Sequence, residues 1–243
     1  MSVDKAFDAL RPWAVVNAAG YVRVDDVEAD EGRCYRENAT EPAVLAAACA
    51  QRALPFPTFS SDLVFDGQQD EPYAESSVPN SLNACGHSKL AGEQRVAAVY
   101  PKALVVRTSA FFSGWDEFDF VHFALQAARN GQSFRAADDV RISPTCVPDL
   151  VNASLDLLPD DAWGIWHVTN RGVCAWAELA RLTAQPAGLL PDLVVPRLIA
   201  DFGLAARPGQ SVLTSERGMV LLLLEHALGC CLADMERHPV ALS

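Results

Sequence analysis

Two hydrophobic rhythms alternate along the first half of the chain. Trp13–Ala18 is an unbroken apolar run with β-branched content, which predicts a strand buried on both faces. Leu54–Ser61 predicts a second strand, its start roughened by Pro55 and Pro57, and Ala103–Arg107 a third. Helical patterns lie around them. Ser2 can cap a helix running through Leu10, with Pro12 closing it. Glu41–Arg52, Ser88–Tyr100 and Phe118–Arg129 predict further helices, the last stopped by Asn130-Gly131. Gly67–Leu82 is polar and proline-containing, hence a loop able to cover a site.

Strands alternating with helices imply right-handed βαβ crossovers and a parallel sheet covered on both faces. The predicted class is therefore α/β, a doubly wound parallel sheet of Rossmann-like type. After about residue 110 the alternation loosens. Pro144–Leu157, Gly164–Val168, Ala175–Thr183 and a C-terminal helix are expected to build a smaller substrate lobe. The expected division is 1–110 for the Rossmann-like core, and 111–243 for the remaining core elements and the lobe.

Composition narrows the function classes. Half of the 243 residues are apolar and 21% are charged, so a packed globular chain is expected rather than disorder. A net charge of -12, from 19 basic and 31 acidic residues, argues against nucleic acid or an anionic membrane as partner. The most apolar stretch, Met219–Leu224, is broken by Glu225 and His226 and falls short of the ~20 residues of a membrane span. It reads as a buried C-terminal helix. Seven cysteines without metal-ligand spacing and without a leader sequence fit reduced thiols in the cytoplasm, and no metal site is expected.

Candidate chemistry concentrates in Ser60-Ser61-Asp62-Leu63-Val64-Phe65-Asp66-Gly67 and Asn83-Ala84-Cys85-Gly86-His87-Ser88-Lys89-Leu90-Ala91-Gly92-Glu93. Ser61 and Asp62 close a predicted parallel strand, where open α/β sheets place ligands. Positions 85 and 89 are one helical turn apart and share a face, while His87 points elsewhere. Together with Asn17-Ala18-Ala19-Gly20-Tyr21, Val24-Asp25-Asp26-Val27-Glu28, Val106-Arg107-Thr108-Ser109, Ser143-Pro144-Thr145 and Arg207-Pro208, these blocks run in order from about residue 2 to about residue 218. In this the chain resembles the dTDP-4-dehydrorhamnose reductase family of extended short-chain dehydrogenases.

The resemblance implies NAD(P)H-dependent reduction of a 4-keto group on a dTDP-deoxysugar, with NADP or NAD as cofactor and a dTDP-sugar or similar sugar nucleotide as partner. It assigns Ser61, Asp62, Cys85 and Lys89 to the catalytic site, and Ala19, Gly20, Tyr21, Ser60 and Lys89 to the cofactor. Cys85 stands where the family places a proton-donating tyrosine, and Ala110 where an aromatic is usual. A thiol is acidic enough to donate but reaches less far than a phenol, so a small space-filling cysteine is the favoured reading. His122, His167 and His226 read as core or surface histidines, and Trp163, Trp166 and Trp176 as lobe core.

One expected element has no counterpart. Dinucleotide-binding folds open with a strand, a glycine-rich turn and a helix whose N-terminus cradles the pyrophosphate. The sequence contains no G-x-x-G-x-x-G, and Gly20 is its first glycine. Relative to the resembled family, a first βαβ unit with its connection, on the order of 40 residues, is missing. A truncated chain is the favoured expectation, with one segment of a longer polypeptide as the other. Either way the Trp13–Ala18 strand should have an open edge that favours a homo-oligomer, or a partner segment completing the sheet. Two functions follow: a reductase with weak or absent activity, or a non-catalytic sugar-nucleotide-binding or regulatory subunit.

Overall fold

The computed structural model describes residues 3–27, 30–185, 191–218 and 221–237. Helix α1, Val3–Leu10, is followed by an extended segment and then by a nearly continuous helical stretch. This stretch comprises α2, Glu31–Tyr35, a π-helical turn Arg36–Thr40, and α3, Glu41–Ala50. Strand β1, Pro57–Ser61, ends in a short 3-10 turn, Asp62–Val64. Helix α4, Ala84–Val99, leads to β2, Leu104–Thr108, and a short β3, Phe111–Phe112. Then come α5, Phe120–Arg129, β4, Phe134–Ala137, β5, Arg141–Ile142, and β6, Thr145–Cys146. The chain continues through α6, Val147–Asp156, β7, Gly164–His167, β8, Cys174–Ala175, and α7, Trp176–Ala184. It closes with β9, Val194–Arg197, and α8, Leu224–Arg237.

The main sheet is parallel in the order β1-β2-β7. Its side chains alternate between two layers. Val105 joins Phe7, Ala46, Cys49 and Val96 under α1, α3 and α4, while Leu104 and Val106 pack with Leu150 and Ala153 of α6 and with Leu157 just after it. Both faces are thus covered, as the doubly wound reading requires. Gly164–Val168 was expected in the lobe, but β7 is the third strand of this sheet and α6 covers it. Hydrophobic period identifies a strand and not its neighbour, so only the pairing could place it.

Trp13–Ala18 corrects a second expectation. It forms an isolated parallel bridge, Asn17 to Thr58, rather than a strand. The amides of Val15 and Asn17 reach the carbonyls of Pro55 and Pro57, but Pro57 has no N–H to return. The ladder is therefore half made, and Trp13 and Val16 stand 71% and 46% exposed instead of buried.

Other boundaries moved for local reasons. α4 begins at Ala84 rather than Ser88 because the Asn83 side chain accepts the Gly86 amide at 2.8 Å and caps the helix. Gly86 and Gly92 let that helix approach closely. A Cβ would stand 2.1 Å from the Leu63 carbonyl oxygen at the first and 2.1 Å from that of Asn38 at the second. The expected C-terminal helix is α8, whose Leu224, Ala227, Leu228, Cys231, Leu232 and Met235 follow helical spacing and are buried. Leu222 and Leu223 lie before it and are exposed, and residues 219 and 220, like the predicted Ser2 cap, lie outside the described residues. Trp163, expected in the lobe core, is 57% exposed. No helix among the described residues is long and apolar enough to cross a membrane.

The second half packs as a smaller cluster. α5, α7 and the parallel pair β4–β9 share one apolar group, and α8 closes a larger one around Phe112, Val121, Leu125 and Leu179. This cluster faces the C-terminal ends of β1 and β2.

Candidate functional site

A cavity of about 500 Å³ opens where those strand ends meet the second cluster. Parallel sheets leave such a crevice because the loops beyond the strands diverge. All the candidate residues named from the sequence line it: Ala19, Gly20, Tyr21, Ser60, Ser61, Asp62, Cys85 and Lys89. Residues far along the chain line it as well, among them Val140, Ile142, Trp176 and Ser211.

The loop of Ala19–Tyr21 is held by the π-helical turn. Asn38 accepts the Tyr21 amide through Oδ1 at 2.9 Å, and its Nδ2 donates to the Tyr21 carbonyl at 3.1 Å and to Ser88 Oγ at 2.9 Å. A single π turn aims a side chain off the regular helical register, which is how Asn38 reaches both strand-end loop and helix α4. Gly20 sits so close that a Cβ there would be 3.0 Å from Lys89 Nζ. Lys89 itself donates to the Phe59 carbonyl at 3.3 Å, and burial lowers its pKa.

Asp62 lies beneath the cavity floor, 6% exposed. Its Oδ1 meets Ser61 Oγ at 2.9 Å and its Oδ2 meets Ser109 Oγ at 2.7 Å, with the Ser211 hydroxyl as a third partner. Burial raises its pKa, and the hydroxyls only partly oppose that rise. Ser61 Oγ also accepts the Leu63 amide at 3.2 Å, which fixes it at the mouth of the 3-10 turn.

Cys85 shares a helix face with Lys89, as the spacing predicted. Its thiol is 2% exposed, packed with Tyr21, Val27 and Cys34, and its Sγ lies 3.9 Å from the Tyr21 carbonyl oxygen. Burial, then the neighbouring Cys34, push it up to about 11. His87 is exposed and takes no part. Ala110 lines the cavity with a φ of 39°, a left-handed conformation that is uncommon for a non-glycine residue.

Apart from Ser60, which the resemblance gives to the cofactor, four features of the wall were not assigned from sequence. Ser60 Oγ and Thr108 Oγ1 are buried with no hydrogen-bond partner among the described residues. Buried hydroxyls are normally paired, and these two belong to residues that line the cavity. Ser109 and Ser211 complete the cage around Asp62. Arg207 spans the rim and forms a bidentate pair with Asp25, both contacts at 2.8 Å. Trp176 is a cavity residue as well as a packing one, its ring 4.7 Å from Phe120. The blocks Arg107-Thr108-Ser109 and Arg207-Pro208 carried the signal, but only the folded chain shows which hydroxyl meets which carboxyl.

Comparison with known proteins places the fold and the family. The family described as the RmlD substrate binding domain matches residues 1–226. The dTDP-4-dehydrorhamnose reductase of Mycobacterium tuberculosis is 36% identical over 209 residues, covering 84% of this chain and 69% of its own. The dTDP-4-keto-6-deoxy-D-glucose reductase of Streptomyces niveus is 33% identical over 196 residues, 81% of this chain and 68% of its own. Among solved structures, the dTDP-4-dehydrorhamnose reductase of Bacillus anthracis, in complex with NADP, superposes with a TM-score of 0.90 at 28% identity. That match covers 96% of this chain and 84% of the other. Matched along nearly its whole length in sequence and in fold, the chain belongs to the RmlD substrate binding domain family, that of the dTDP-4-dehydrorhamnose reductases.

Proposed function

We propose that the chain binds a dTDP-4-keto-6-deoxysugar, or a similar sugar nucleotide, in the cavity and reduces its ketone with NADPH or NADH, slowly. The observation that carries this reading is the convergence of Ser61, Asp62 and Lys89 with two unpaired hydroxyls, Ser60 and Thr108, on one cavity at the strand ends. Ser61 is placed to hold the ketone oxygen. Lys89 and the Ala19–Tyr21 loop fit a nicotinamide ribose, and Ser60 and Thr108 offer the hydroxyls that a carboxamide or ribose would satisfy. Bound there, the nicotinamide supplies hydride to the ketone carbon.

The pyrophosphate half of the cofactor is supported less well. Its usual partner is a glycine-rich turn at a helix N-terminus, and this sequence contains none. For these 243 residues taken alone, we place slow turnover on two features: weak cofactor retention, and a buried thiol at the position of the family's phenol. The outer edge of residues 13–18 suits a partner segment or a second copy, since Ala14, Val16 and Ala18 have no backbone partner among the described residues. The cytoplasm suits the seven free thiols.

A second reading, a sugar-nucleotide-binding or regulatory subunit without turnover, is favoured by the burial of Cys85. Calorimetric titration with a dTDP-sugar and with NADPH, followed by NADPH consumption with a dTDP-4-keto sugar, separates the two. Binding of sugar nucleotide and slow, Lys89-dependent oxidation support the reductase. Binding without oxidation supports the subunit, and absence of sugar-nucleotide binding removes both.

A further inference from the structure

The cavity holds a carboxyl that the reductase reading leaves without a task beyond positioning the sugar. Asp62 is enclosed by the hydroxyls of Ser61, Ser109 and Ser211, with Ser61 Oγ at 2.9 Å and Ser109 Oγ at 2.7 Å. Among the described residues no cation compensates it. Lys89 on α4 is directed at the Phe59 carbonyl, Arg207 on the rim is paired with Asp25, and Arg107 on β2 is paired with Glu93. Val140, Ile142 and Trp176, which also line the cavity, are apolar apart from the indole N–H. A carboxyl in such a setting keeps its proton more readily than one in water, and burial does raise its pKa.

Resting on the reductase reading, we propose that Asp62, through the Ser61 hydroxyl, supplies the proton that completes ketone reduction in this chain, in place of position 85. A serine hydroxyl offers one donor and two acceptor sites. Ser61 Oγ uses one acceptor site for the Leu63 amide. With Asp62 neutral, the carboxyl O–H fills the second, and the serine hydrogen is free for the ketone oxygen. As hydride reaches the carbonyl carbon, the carbonyl π pair moves onto oxygen. That oxygen takes the Ser61 proton, and Ser61 takes the proton of Asp62. One O–H bond forms on the product alcohol and one breaks on the carboxyl. The resulting carboxylate is met by hydroxyl donors from Ser61, Ser109 and Ser211, and water entering the cavity restores its proton.

The cage thus serves both protonation states, by rotation of hydroxyls alone. Cys85 has no comparable route. Its sulfur is directed at the Tyr21 carbonyl, and its thiol is pushed up to about 11 by burial and by Cys34. Ser61 is then the catalytic residue that touches substrate, and Asp62 is the group that stores the proton.

Two measurements on the full chain test this. Infrared titration at neutral pH should show a protonated-carboxyl stretch that vanishes in Asp62→Asn and shifts in Ser61→Ala; this readout needs no cofactor or turnover. A carboxyl that is ionised at neutral pH overturns the proposal. With NADPH and a dTDP-4-keto sugar, both variants should lose kcat by about 10²-fold or more, the usual contribution of general acid catalysis. Native kcat should fall as pH rises through the pKa seen by infrared, because the donor must be protonated. An alkaline limb that persists unchanged in Asp62→Asn overturns the relay while leaving the reductase reading intact. If the native chain binds sugar and cofactor but turns nothing over, the reductase reading fails and takes the catalytic use of the relay with it, whatever the infrared band. Ser61→Ala keeps the test decisive should Asp62→Asn fail to fold.

Discussion

Arg107 and Glu93 meet in a bidentate ion pair, Nε to Oε1 at 2.8 Å and Nη2 to Oε2 at 2.6 Å, behind the strand that ends at the cavity. The pair fastens β2 to α4, the helix that carries Cys85 and Lys89. Arg107 is 1% exposed, lies 5.1 Å from the Phe65 ring, and its Nη1 stands 3.4 Å from His167 Nε2. His167 Nδ1 faces the carbonyls of Tyr73 and Thr214, so Nδ1 carries the proton and Nε2 accepts from Arg107. The ring is therefore neutral. Burial first, and the Arg107 charge second, lower its pKa in agreement.

Removing one partner of that pair should be costly. Glu93→Ala strands a buried guanidinium and is expected to cost about 3–5 kcal/mol, measured by urea unfolding. Replacing both partners with apolar residues, Glu93→Leu with Arg107→Met, should recover most of the loss. A single-variant cost below about 1 kcal/mol would mean that His167 and water already compensate the guanidinium.

The rim pair behaves differently because it is half in water. The guanidinium of Arg207 lowers the Asp25 pKa, chiefly through its side-chain hydrogen bonds, from an ordinary value of 3.8. A depressed carboxylate stabilises the fold above its ordinary pKa, and that contribution is lost as pH falls through the depressed value. With the Asp25 side chain 42% exposed, the amount is small, under about 1 kcal/mol. Asp25→Asn should leave global stability nearly unchanged while accelerating amide exchange at Ala205, Ala206, Arg207 and Gly209 across the rim. Equal exchange in both proteins would show that the Asn83 contact to the Ala206 carbonyl, at 2.8 Å, holds the segment alone.

Legibility in the sequence followed the range of the interaction. Ser61 and Asp62 could be placed because they close a strand, and Lys89 because it lies one turn from Cys85 on a helix. The helices read from the sequence lie within a few residues of their places, although the helical stretch Glu31–Thr40 and the Asn83 cap were overlooked and α4 was started late. The Asp62 cage was not legible, since Ser109 and Ser211 join it from remote elements and a serine carries no pattern of its own. Trp13–Ala18 was misread because its composition suits a buried strand, while the failing ladder is a property of Pro55 and Pro57 on its neighbour.

That half-made ladder leaves an apolar edge. Trp13 and Val16 are exposed, and the outward amides of Ala14, Val16 and Ala18 have no partner among the described residues. Edges of this kind favour strand addition, and a charge on the edge opposes it. Sedimentation of the isolated chain should show self-association that Val16→Lys reduces without lowering the melting temperature. A native monomer at all concentrations would mean that the edge is closed by some other means.

Cys85→Tyr brings two constraints together. Cys85 is packed against Tyr21, Val27 and Cys34, so a ring kept in that cluster would overpack it, at about 1–3 kcal/mol. Turned into the cavity, the phenol would share a helix face with Lys89 and could approach a ketone held by Ser61. Proton donation is worth 10²–10⁴-fold, roughly, but only where hydride is delivered. This sequence lacks the glycine-rich turn that would hold the pyrophosphate, so the single substitution should raise NADPH oxidation less than about tenfold, with the larger gain of general acid catalysis withheld. Supplying a glycine-rich βαβ segment along the edge of residues 13–18 should release most of the rate by itself, because the Asp62–Ser61 relay already supplies the proton, and adding Cys85→Tyr should change it little. Four proteins decide the matter: native, each single repair and both, compared by NADPH consumption. Full gain from Cys85→Tyr alone would show that the cavity retains cofactor without the glycine turn. Full gain from the βαβ segment alone would show that proton supply already suffices, the result that the Asp62–Ser61 relay favours.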